Sequence, residues 1–256
     1  MTMTVTYASM ASGKSTALLQ YGFDLRQAGM QVALLTAAID NRNGAGVITS
    51  RLGLQQPADT FDAESNLLDW AVNQDGVHCI LVDEVQFCTP AQAHQLHQAA
   101  HLLRTPVRCY GLRTDFQGNP FPGMATLLSL ADEVIGLSSI CRCGARASMN
   151  ERMDAFGRIV WSGDQVLIGG NDRYRPVCPT CFYRHREQRH MEPTLQGLGY
   201  AIERVEAGYI WSRHGHRVNQ HHPFKQHIDA VLDAWDFHHS VAVHEAAALA
   251  NMESTT

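Results

Sequence analysis

A short segment near the N-terminus, from Ala8 to Ser15, has the residue types and spacing of a phosphate-binding loop. In such a loop successive backbone N–H groups form an anion site, and the lysine at Lys14 reaches the outer phosphates. The hydroxyl of Ser15 can bind magnesium. The usual G-x-x-x-x-G-K-S/T pattern has glycine at its first position, where this chain has alanine, so an ordinary turn is the alternative. The residues expected to contact phosphate are Ser9, Met10, Ala11, Ser12, Gly13, Lys14, Ser15 and Thr16.

Two consecutive carboxylates, Asp83 and Glu84, lie at the end of an apolar run that begins at Cys79. A buried parallel strand delivers side chains in this way to the carboxyl edge of a sheet. We expect Asp83 to bind magnesium through water and Glu84 to take a proton from an attacking hydroxyl or water. The alternative is that both cap the next helix, because Thr89 and Pro90 are typical of a helix N-terminus. Both roles can hold at once.

The seven cysteines fall into two kinds. Cys79, Cys88 and Cys109 are scattered among apolar residues and are interpreted as core residues. The others form a C-x-C and a C-x-x-C pair, a spacing that predicts one tetrahedral zinc site rather than buried free thiols. Disulfides are disfavoured in a reducing compartment. The expected zinc ligands are Cys141, Cys143, Cys178 and Cys181.

Composition limits the classes of function. The chain has 256 residues, 45% hydrophobic and 18% charged, with a formal net charge of −5, so it can bury one core and carry a small accessory domain. The acidic balance argues against a nucleic-acid partner and favours small substrates. With no basic segment before an apolar run at the N-terminus and no run of about 18 apolar residues, we expect a cytoplasmic protein without membrane association.

Apolar runs alternate with helical patterns along the first part of the chain, which predicts an α/β fold with a mostly parallel sheet. The runs lie at 3–8, 31–36, 78–82, 106–111 and 133–138, and the helical patterns at 14–28, 64–73 and 90–102. A polar, glycine-rich loop follows the second run. Its Arg42 either stabilises transferring charge or is simply solvated.

Three domains are expected: a P-loop nucleotide-binding domain over 1–138, a zinc-binding domain over 139–186 and a partly helical extension over 187–256. The extension is rich in histidine, and its irregular tracts are interpreted as solvated rather than metal-binding. Around 225–250, apolar residues recur at helical spacing and predict an amphipathic helix.

Five motifs in a fixed order are similar to those of the zinc-containing type II thymidine kinases. They are the phosphate loop, the D-E-x-Q-F sequence that ends at Phe87, the segment from Tyr110 to Gly118 followed by Pro120 and Phe121, and the two cysteine pairs, which enclose the segment from Ile168 to Tyr174. The resemblance covers about residues 3–185.

The resemblance implies a RecA-like P-loop domain and a zinc-held lasso domain that closes over the nucleoside. It implies transfer of the γ-phosphate of ATP to the 5′-hydroxyl of thymidine or deoxyuridine, with Mg²⁺, in a homotetramer inhibited by dTTP. Glu84 becomes the general base, Asp83 the water-mediated magnesium ligand, and Arg42 and Gln86 join the ATP site. The implied nucleoside-binding residues are Met10, Phe87, Leu112, Phe116, Phe121, Asn150, Leu167, Ile168, Gly169, Gly170 and Tyr174.

Two other classes of function remain as alternatives. A P-loop ATPase could use Glu84 to polarise water and its zinc module to bind nucleic acid, which the several arginines within 139–186 would favour. Against it, Phe87 and the segment from Gly169 to Tyr174 have no role in water activation. A non-catalytic zinc scaffold would require the phosphate loop to be vestigial.

Overall fold

The computed structural model describes residues 1–40, 44–167, 173–217, 223–225 and 227–253, with the side chains of 188 and 243–253 outside the description. The described chain divides into two compact units. The first unit comprises Met1–Arg152 and Trp161–Pro179, and the second comprises Met153–Val160 and Thr180–Thr256. The sequence-based boundaries after 138 and 186 remain predictions.

A six-stranded parallel sheet forms the centre of the first unit. Eight strands precede residue 137: β1 (Met3–Ala8), β2 (Val32–Ala37), β3 (Val47–Thr49), β4 (Gln55–Pro57), β5 (Asp59–Phe61), β6 (Cys79–Asp83), β7 (Val107–Leu112) and β8 (Glu133–Gly136). The sheet order is β5-β2-β6-β7-β1-β8, and each pairing is parallel. β3 and β4 form a separate antiparallel pair. The carboxyl ends of β1 and β6, which carry the predicted phosphate and acid groups, therefore lie at one edge with β7 between them.

Four helices cover this sheet: α1 (Lys14–Gln27), α2 (Leu67–Val72), α3 (Pro90–Leu102) and α4 (Pro122–Leu130). The start of α3 has the cap that its sequence predicts. The Thr89 hydroxyl accepts from the backbone N–H of Gln92, whose side chain in turn accepts from the Thr89 N–H. Pro90 occupies the first turn, where it has no hydrogen bond to lose.

The central strands β2 and β6 are mostly apolar because both faces of the sheet are covered there. In β6 all five residues are buried, and Val5 of β1 and Leu35 of β2 are fully buried. Cys79, Cys88 and Cys109 are buried too, which confirms that these cysteines belong to the core. The α/β fold with a parallel central sheet is confirmed.

Beyond β8 the alternation of strands and helices stops, as the sequence predicts. The first unit continues with four short strands: β9 (Ser139–Ile140), β10 (Arg146–Ala147), β11 (Met149–Met153) and β13 (Tyr174–Val177). The intervening strand β12 (Ile159–Val160) belongs to the second unit. β9 pairs with β10, and β11 pairs with β13, both antiparallel. These pairings bring Asn150 opposite Pro176 and hold the two ends of this region together.

The second unit has its own sheet and core. Its helices are α5 (Pro179–Glu187), α6 (Met191–Gly197) and α7 (His227–Glu253), and its further strands are β14 (Tyr200–Val205), β15 (Gly208–Arg213) and β16 (His216–Arg217). The three strands form an antiparallel sheet. Apolar side chains of α6, α7 and the strands form one cluster around Trp211, which is 1% exposed. The amphipathic helix expected near 225–250 is confirmed as α7.

None of the helices in the described part of the chain is both long and apolar enough to cross a bilayer.

Candidate active site

The phosphate loop joins β1 to α1 in the conformation that its small residues allow. Ala11 and Gly13 both have positive φ angles, of 61° and 76°, in the left-handed region that glycine enters at little cost. Helix α1 begins immediately afterwards, so its N-terminal amides face the loop. The Lys14 ammonium is buried and donates to the carbonyl oxygen of Ser9 at 3.1 Å. The lysine thus folds back over the loop, where a phosphate chain would lie.

Ser15 and Asp83, the two predicted magnesium ligands, meet across the sheet edge. The Ser15 hydroxyl donates to Oδ2 of Asp83 at 2.7 Å. Burial raises the pKa of Asp83, and the neighbouring Glu84 carboxylate raises it further, while the hydrogen bond from Ser15 lowers it. A buried carboxylate beside a second carboxylate is stabilised by a cation, and hard oxygen atoms are the ligands that Mg²⁺ prefers. The two residues therefore fit a magnesium site.

A polar pocket opens at this same place. Its lining residues are Ser15, Thr36, Asp40, Val47, Ile48, Thr49, Asp83 and Glu84. The pocket brings the first turn of α1 together with the carboxyl ends of β2 and β6. Ser15 and Asp83, which are predicted to bind magnesium, and the predicted base Glu84 thus line one pocket.

Glu84 is held by Gln86. The side-chain amide of Gln86 donates to Oε2 of Glu84 at 2.5 Å, and its oxygen accepts from the backbone N–H of Leu112 at 3.0 Å. Gln86 is 2% exposed, whereas Glu84 and Leu112 are half-buried. Glu84 itself has a φ of 51°, which directs the chain from β6 into the 3-10 turn Val85–Phe87.

The close contact between this turn and β7 requires glycine at position 111. A Cβ on Gly111 would lie 2.6 Å from the Gln86 side-chain oxygen and 2.7 Å from the end of Met124. Gly111 therefore leaves the space in which the Gln86 amide turns towards Glu84. The sequence analysis did not identify Gly111 as important, although a glycine within a buried strand is a signal of close approach.

The aromatic residues predicted to line a nucleoside slot fall into three groups. Phe87 and Phe121 pack edge to face with ring centroids 6.1 Å apart, and Leu112 belongs to the same apolar cluster. The guanidinium of Arg152 lies 3.8 Å from the ring centroid of Phe116. The Tyr174 hydroxyl donates to the carbonyl oxygen of Leu167 at 2.8 Å, which connects β13 to the segment that ends at Leu167.

The phosphate loop is hydrogen-bonded to the region that follows β8. The backbone N–H of Met10 donates to the side-chain oxygen of Asn150 at 2.7 Å, in a buried environment. The Ser9 hydroxyl lies 3.3 Å from the Ser139 hydroxyl and 3.4 Å from the carbonyl oxygen of Ala147. Asn150, expected among the nucleoside-binding residues, therefore positions the loop through its side chain.

The four predicted zinc ligands come together. The sulfur atoms of Cys141, Cys143, Cys178 and Cys181 all lie within 4.8 Å of one another, and those of Cys143 and Cys178 are 3.6 Å apart. Around a tetrahedral zinc ion with Zn–S bonds of about 2.3 Å, sulfur atoms are separated by about 3.8 Å. The cluster fits a structural zinc site.

Some predicted residues are not placed, and Asp115 was missed as well as Gly111. Arg42, Ile168, Gly169 and Gly170 lie outside the described residues. Asp115, which no prediction singled out, is buried and accepts from the backbone N–H groups of Gln117 and Asn119 and from the side-chain amide of Gln165. A buried aspartate surrounded by turn residues is the signal that could have identified it.

A phosphate loop after β1, a hydroxyl–carboxylate pair at the same sheet edge and a second carboxylate beside it define a P-loop nucleotide-binding protein with the groups for phosphoryl transfer. The protein-family model described as thymidine kinase matches residues 1–182. The chain belongs to the thymidine kinase family.

Several bacterial thymidine kinases are similar over about 175 to 181 residues of this chain. That of Albidiferax ferrireducens is 50% identical over 181 residues, which are 71% of this chain and 91% of the relative. That of Chromobacterium violaceum is 54% identical over 177 residues, 69% of this chain and 95% of the relative. That of Escherichia coli O157:H7 is 47% identical over 175 residues, 67% of this chain and 85% of the relative. The family-model match, over residues 1–182, includes the first unit and leaves most of the second outside.

Proposed function

We propose that this protein transfers the γ-phosphate of ATP to the 5′-hydroxyl of thymidine, and of deoxyuridine, to give the nucleoside monophosphate in nucleotide salvage. The observation that carries the proposal is the hydrogen bond between Ser15 and Asp83, with Glu84 as the next residue. It joins the phosphate loop to a proton acceptor at one sheet edge. Membership of the thymidine kinase family supports thymidine as the acceptor.

The phosphate end of the reaction is assigned to the loop from Ser9 to Thr16. Its backbone N–H groups and the ammonium of Lys14 would bind the phosphates and offset the charge that develops during transfer. Ser15 and Asp83 would hold Mg²⁺, which supplies charge neutralisation between the phosphates. Arg42 and Gln86 are retained as proposed ATP-site residues.

Glu84 is proposed as the general base. It would accept the proton of the nucleoside 5′-hydroxyl as that oxygen attacks phosphorus, while the γ-phosphoryl group leaves the β-phosphate oxygen. Gln86 supports this role by donating to one oxygen of the Glu84 carboxylate, which restricts the orientation of that carboxylate. Geometry fixed before the substrate binds lowers the entropic cost of the step.

The nucleoside is proposed to lie against Phe87, three residues beyond the base. A thymine ring needs a flat apolar slot, and the Phe87–Phe121 pair presents aromatic surface for it. The lasso is proposed to complete the slot through its backbone and a few side chains. The remaining proposed nucleoside contacts are Met10, Leu112, Phe116, Asn150, Leu167, Ile168, Gly169, Gly170 and Tyr174.

The cysteine cluster is proposed to hold structural Zn²⁺ that ties together the two ends of the lasso. A closed four-thiolate site contributes folding free energy rather than chemistry. The lasso would thereby keep the backbone groups that read the pyrimidine edge in position. A homotetramer, inhibition by dTTP and a cytoplasmic location complete the proposal.

The test is a coupled assay of ADP formation with a panel of nucleosides as acceptors. We expect ADP formation to depend on thymidine, with deoxyuridine as a second acceptor. Equal ATP turnover with and without nucleoside would reject the kinase in favour of a P-loop ATPase, which the family match does not favour.

A further inference from the structure

A second cluster of metal-binding side chains lies in the first unit, apart from the cysteines. It consists of His97, His101 and Asp132, each of which offers one ligand atom, and these atoms all lie within 4.8 Å of one another. Neither the phosphoryl-transfer groups nor the cysteine cluster includes any of the three. The arrangement therefore needs an explanation of its own.

Helix geometry places the two histidines together. His97 and His101 are four residues apart on α3, so their side chains project from the same face. Their ring centroids are 4.4 Å apart. His101 lies in the last turn of α3, where the helix dipole favours a positive charge. Two imidazoles at this spacing form one half of a metal site.

Asp132 completes the cluster from another element. It lies between α4 and β8, and its Oδ2 atom is 3.0 Å from Nε2 of His101. The same oxygen accepts from the backbone N–H of Met3 at 2.7 Å. That hydrogen bond fixes the carboxylate against the first residue of β1, as outer-shell partners do for metal ligands.

The cluster is remote from the proposed reaction. Met3 is at the N-terminal end of β1, and the phosphate loop follows its C-terminal end. The two ends of this six-residue strand are about 16 Å apart. An ion at this place would join α3 to the beginning of β1 and the segment before β8. Its effect would be on stability and not on phosphoryl transfer.

The ligand set indicates the class of ion. Two imidazoles and one carboxylate suit Zn²⁺ and other divalent transition metals, whereas Mg²⁺ and Ca²⁺ prefer oxygen atoms alone. The side chains of His101 and Asp132 are 37% and 33% exposed, so water can reach the site and fill the remaining positions. Such a site exchanges its ion with solution more readily than a closed thiolate site.

We propose that His97, His101 and Asp132 form a second, exchangeable site for a divalent transition-metal ion, Zn²⁺ in particular, which stabilises the first unit by joining α3 to the start of the sheet. The competing explanation is an ordinary surface ion pair between His101 and Asp132. The close ion pair joins His101 to Asp132 and would remain if His97 were replaced, and this difference makes the two explanations separable.

The test uses the full chain with its cysteine-bound metal in place. Zn²⁺ binding is measured by equilibrium dialysis at pH 7.5, and the melting temperature is measured with and without added Zn²⁺. The variants are His97→Gln, which keeps the His101–Asp132 pair, and His101→Gln, which removes it. The matched control is His94→Gln, which removes an exposed imidazole from the same helix outside the cluster.

We expect the His97→Gln and His101→Gln proteins each to bind one Zn²⁺ fewer than the wild type, and the His94→Gln protein to bind the same number. Added Zn²⁺ should raise the melting temperature of the wild type and the control by a few degrees and leave the two site variants unchanged. The same zinc count and thermal shift in all four proteins would overturn the proposal. So would loss of zinc binding in His101→Gln alone. Histidines elsewhere in the chain contribute equally to all four proteins and cancel in the comparison.

Discussion

Both units have an apolar core, and they differ in how their buried polar residues are arranged. In the first unit, the carboxyl ends of parallel strands carry buried polar groups, among them Lys14, Asp83 and Gln86, each with hydrogen-bond partners. In the second unit, the buried cluster is mainly aromatic and aliphatic and surrounds Trp211. Buried polar groups cost free energy unless they are paired, so a set of them at one edge indicates function. The match to the thymidine kinase family model, which ends at residue 182, includes these buried polar residues.

The variant with the largest expected effect tests the buried polar residues at the carboxyl edge of the sheet. Replacing Glu84 by Gln keeps the size of the side chain and removes the proton acceptor, so kcat should fall by about 10² to 10⁴. ATP binding should change little, because the phosphate loop is intact. Steady-state assays of thymidine-dependent ADP formation measure the first effect, and nucleotide titration measures the second.

The control for this variant is Glu64→Gln, at an exposed position of the same unit. It should leave kcat unchanged. An unaltered rate in the Glu84→Gln protein would show that Glu84 is not the general base. The buried polar residues of the first unit would then not be evidence for its catalytic role.

The next effect concerns Gln86, the residue that holds Glu84. In the Gln86→Met protein the amide contact is lost while the volume is kept, and kcat should fall by about 10-fold to 100-fold because the base is misplaced. The KM for thymidine should stay within about twofold.

A double variant separates positioning from general damage to the fold. If Gln86 acts through Glu84, the Glu84→Gln/Gln86→Met protein should be no slower than Glu84→Gln alone, since the two residues act as a unit. Fully additive losses would show that Gln86 has an independent role.

The cysteine cluster should affect the acceptor more than the phosphate donor. Cys141→Ala removes one thiolate, which should release the tightly held zinc and raise the KM for thymidine by about tenfold as the lasso loosens. Cys79→Ala is the matched control, because Cys79 is a buried core cysteine outside the cluster. Metal analysis and thymidine titrations compare the two. Equal zinc content in both proteins would contradict the zinc assignment.

The smallest effect on turnover is expected in the second unit. Trp211 is 1% exposed and its indole N–H donates to Asp233 at 2.8 Å, so Trp211→Ala should destabilise this unit by about 3–5 kcal/mol. Thymidine-dependent turnover should change by less than twofold at a temperature where the first unit remains folded. Circular dichroism measures the folding of the second unit, and the assay measures turnover. If both are lost together, the second unit is required for catalysis.

The first unit could be predicted well because its signals are local and repeated. Apolar runs as short as that of β6 can only be buried strands when helical patterns alternate with them, and Thr89 with Pro90 marks the start of α3. The predicted carboxyl-edge site followed from the parallel sheet alone. The contact between Gln86 and Glu84 could not be predicted, because it depends on how closely β7 approaches the turn after β6.

The second unit could not be predicted in detail because its signals are weak. The hairpin of β14 and β15 is joined by Glu206 and Ala207, which lack the Asn-Gly or Asp-Gly pattern that marks a two-residue turn. Helix α5 has arginine and histidine in its last turn, so its sequence does not show a clear apolar face, although Phe182 is buried. Only α7 is long enough for its periodicity to stand out.

The hydrogen bond from the Met10 N–H to Asn150 has a thermodynamic consequence for substrate binding. Because one end of it belongs to the predicted phosphate loop and the other to β11, whose Asn150 is a proposed nucleoside contact, ordering either partner should restrict the other. We therefore expect heterotropic coupling between ATP and thymidine, and linkage requires each to alter the other's dissociation constant by the same factor. Asn150→Ala should bring that factor towards unity, which calorimetric titration of each substrate with and without a non-hydrolysable form of the other would measure.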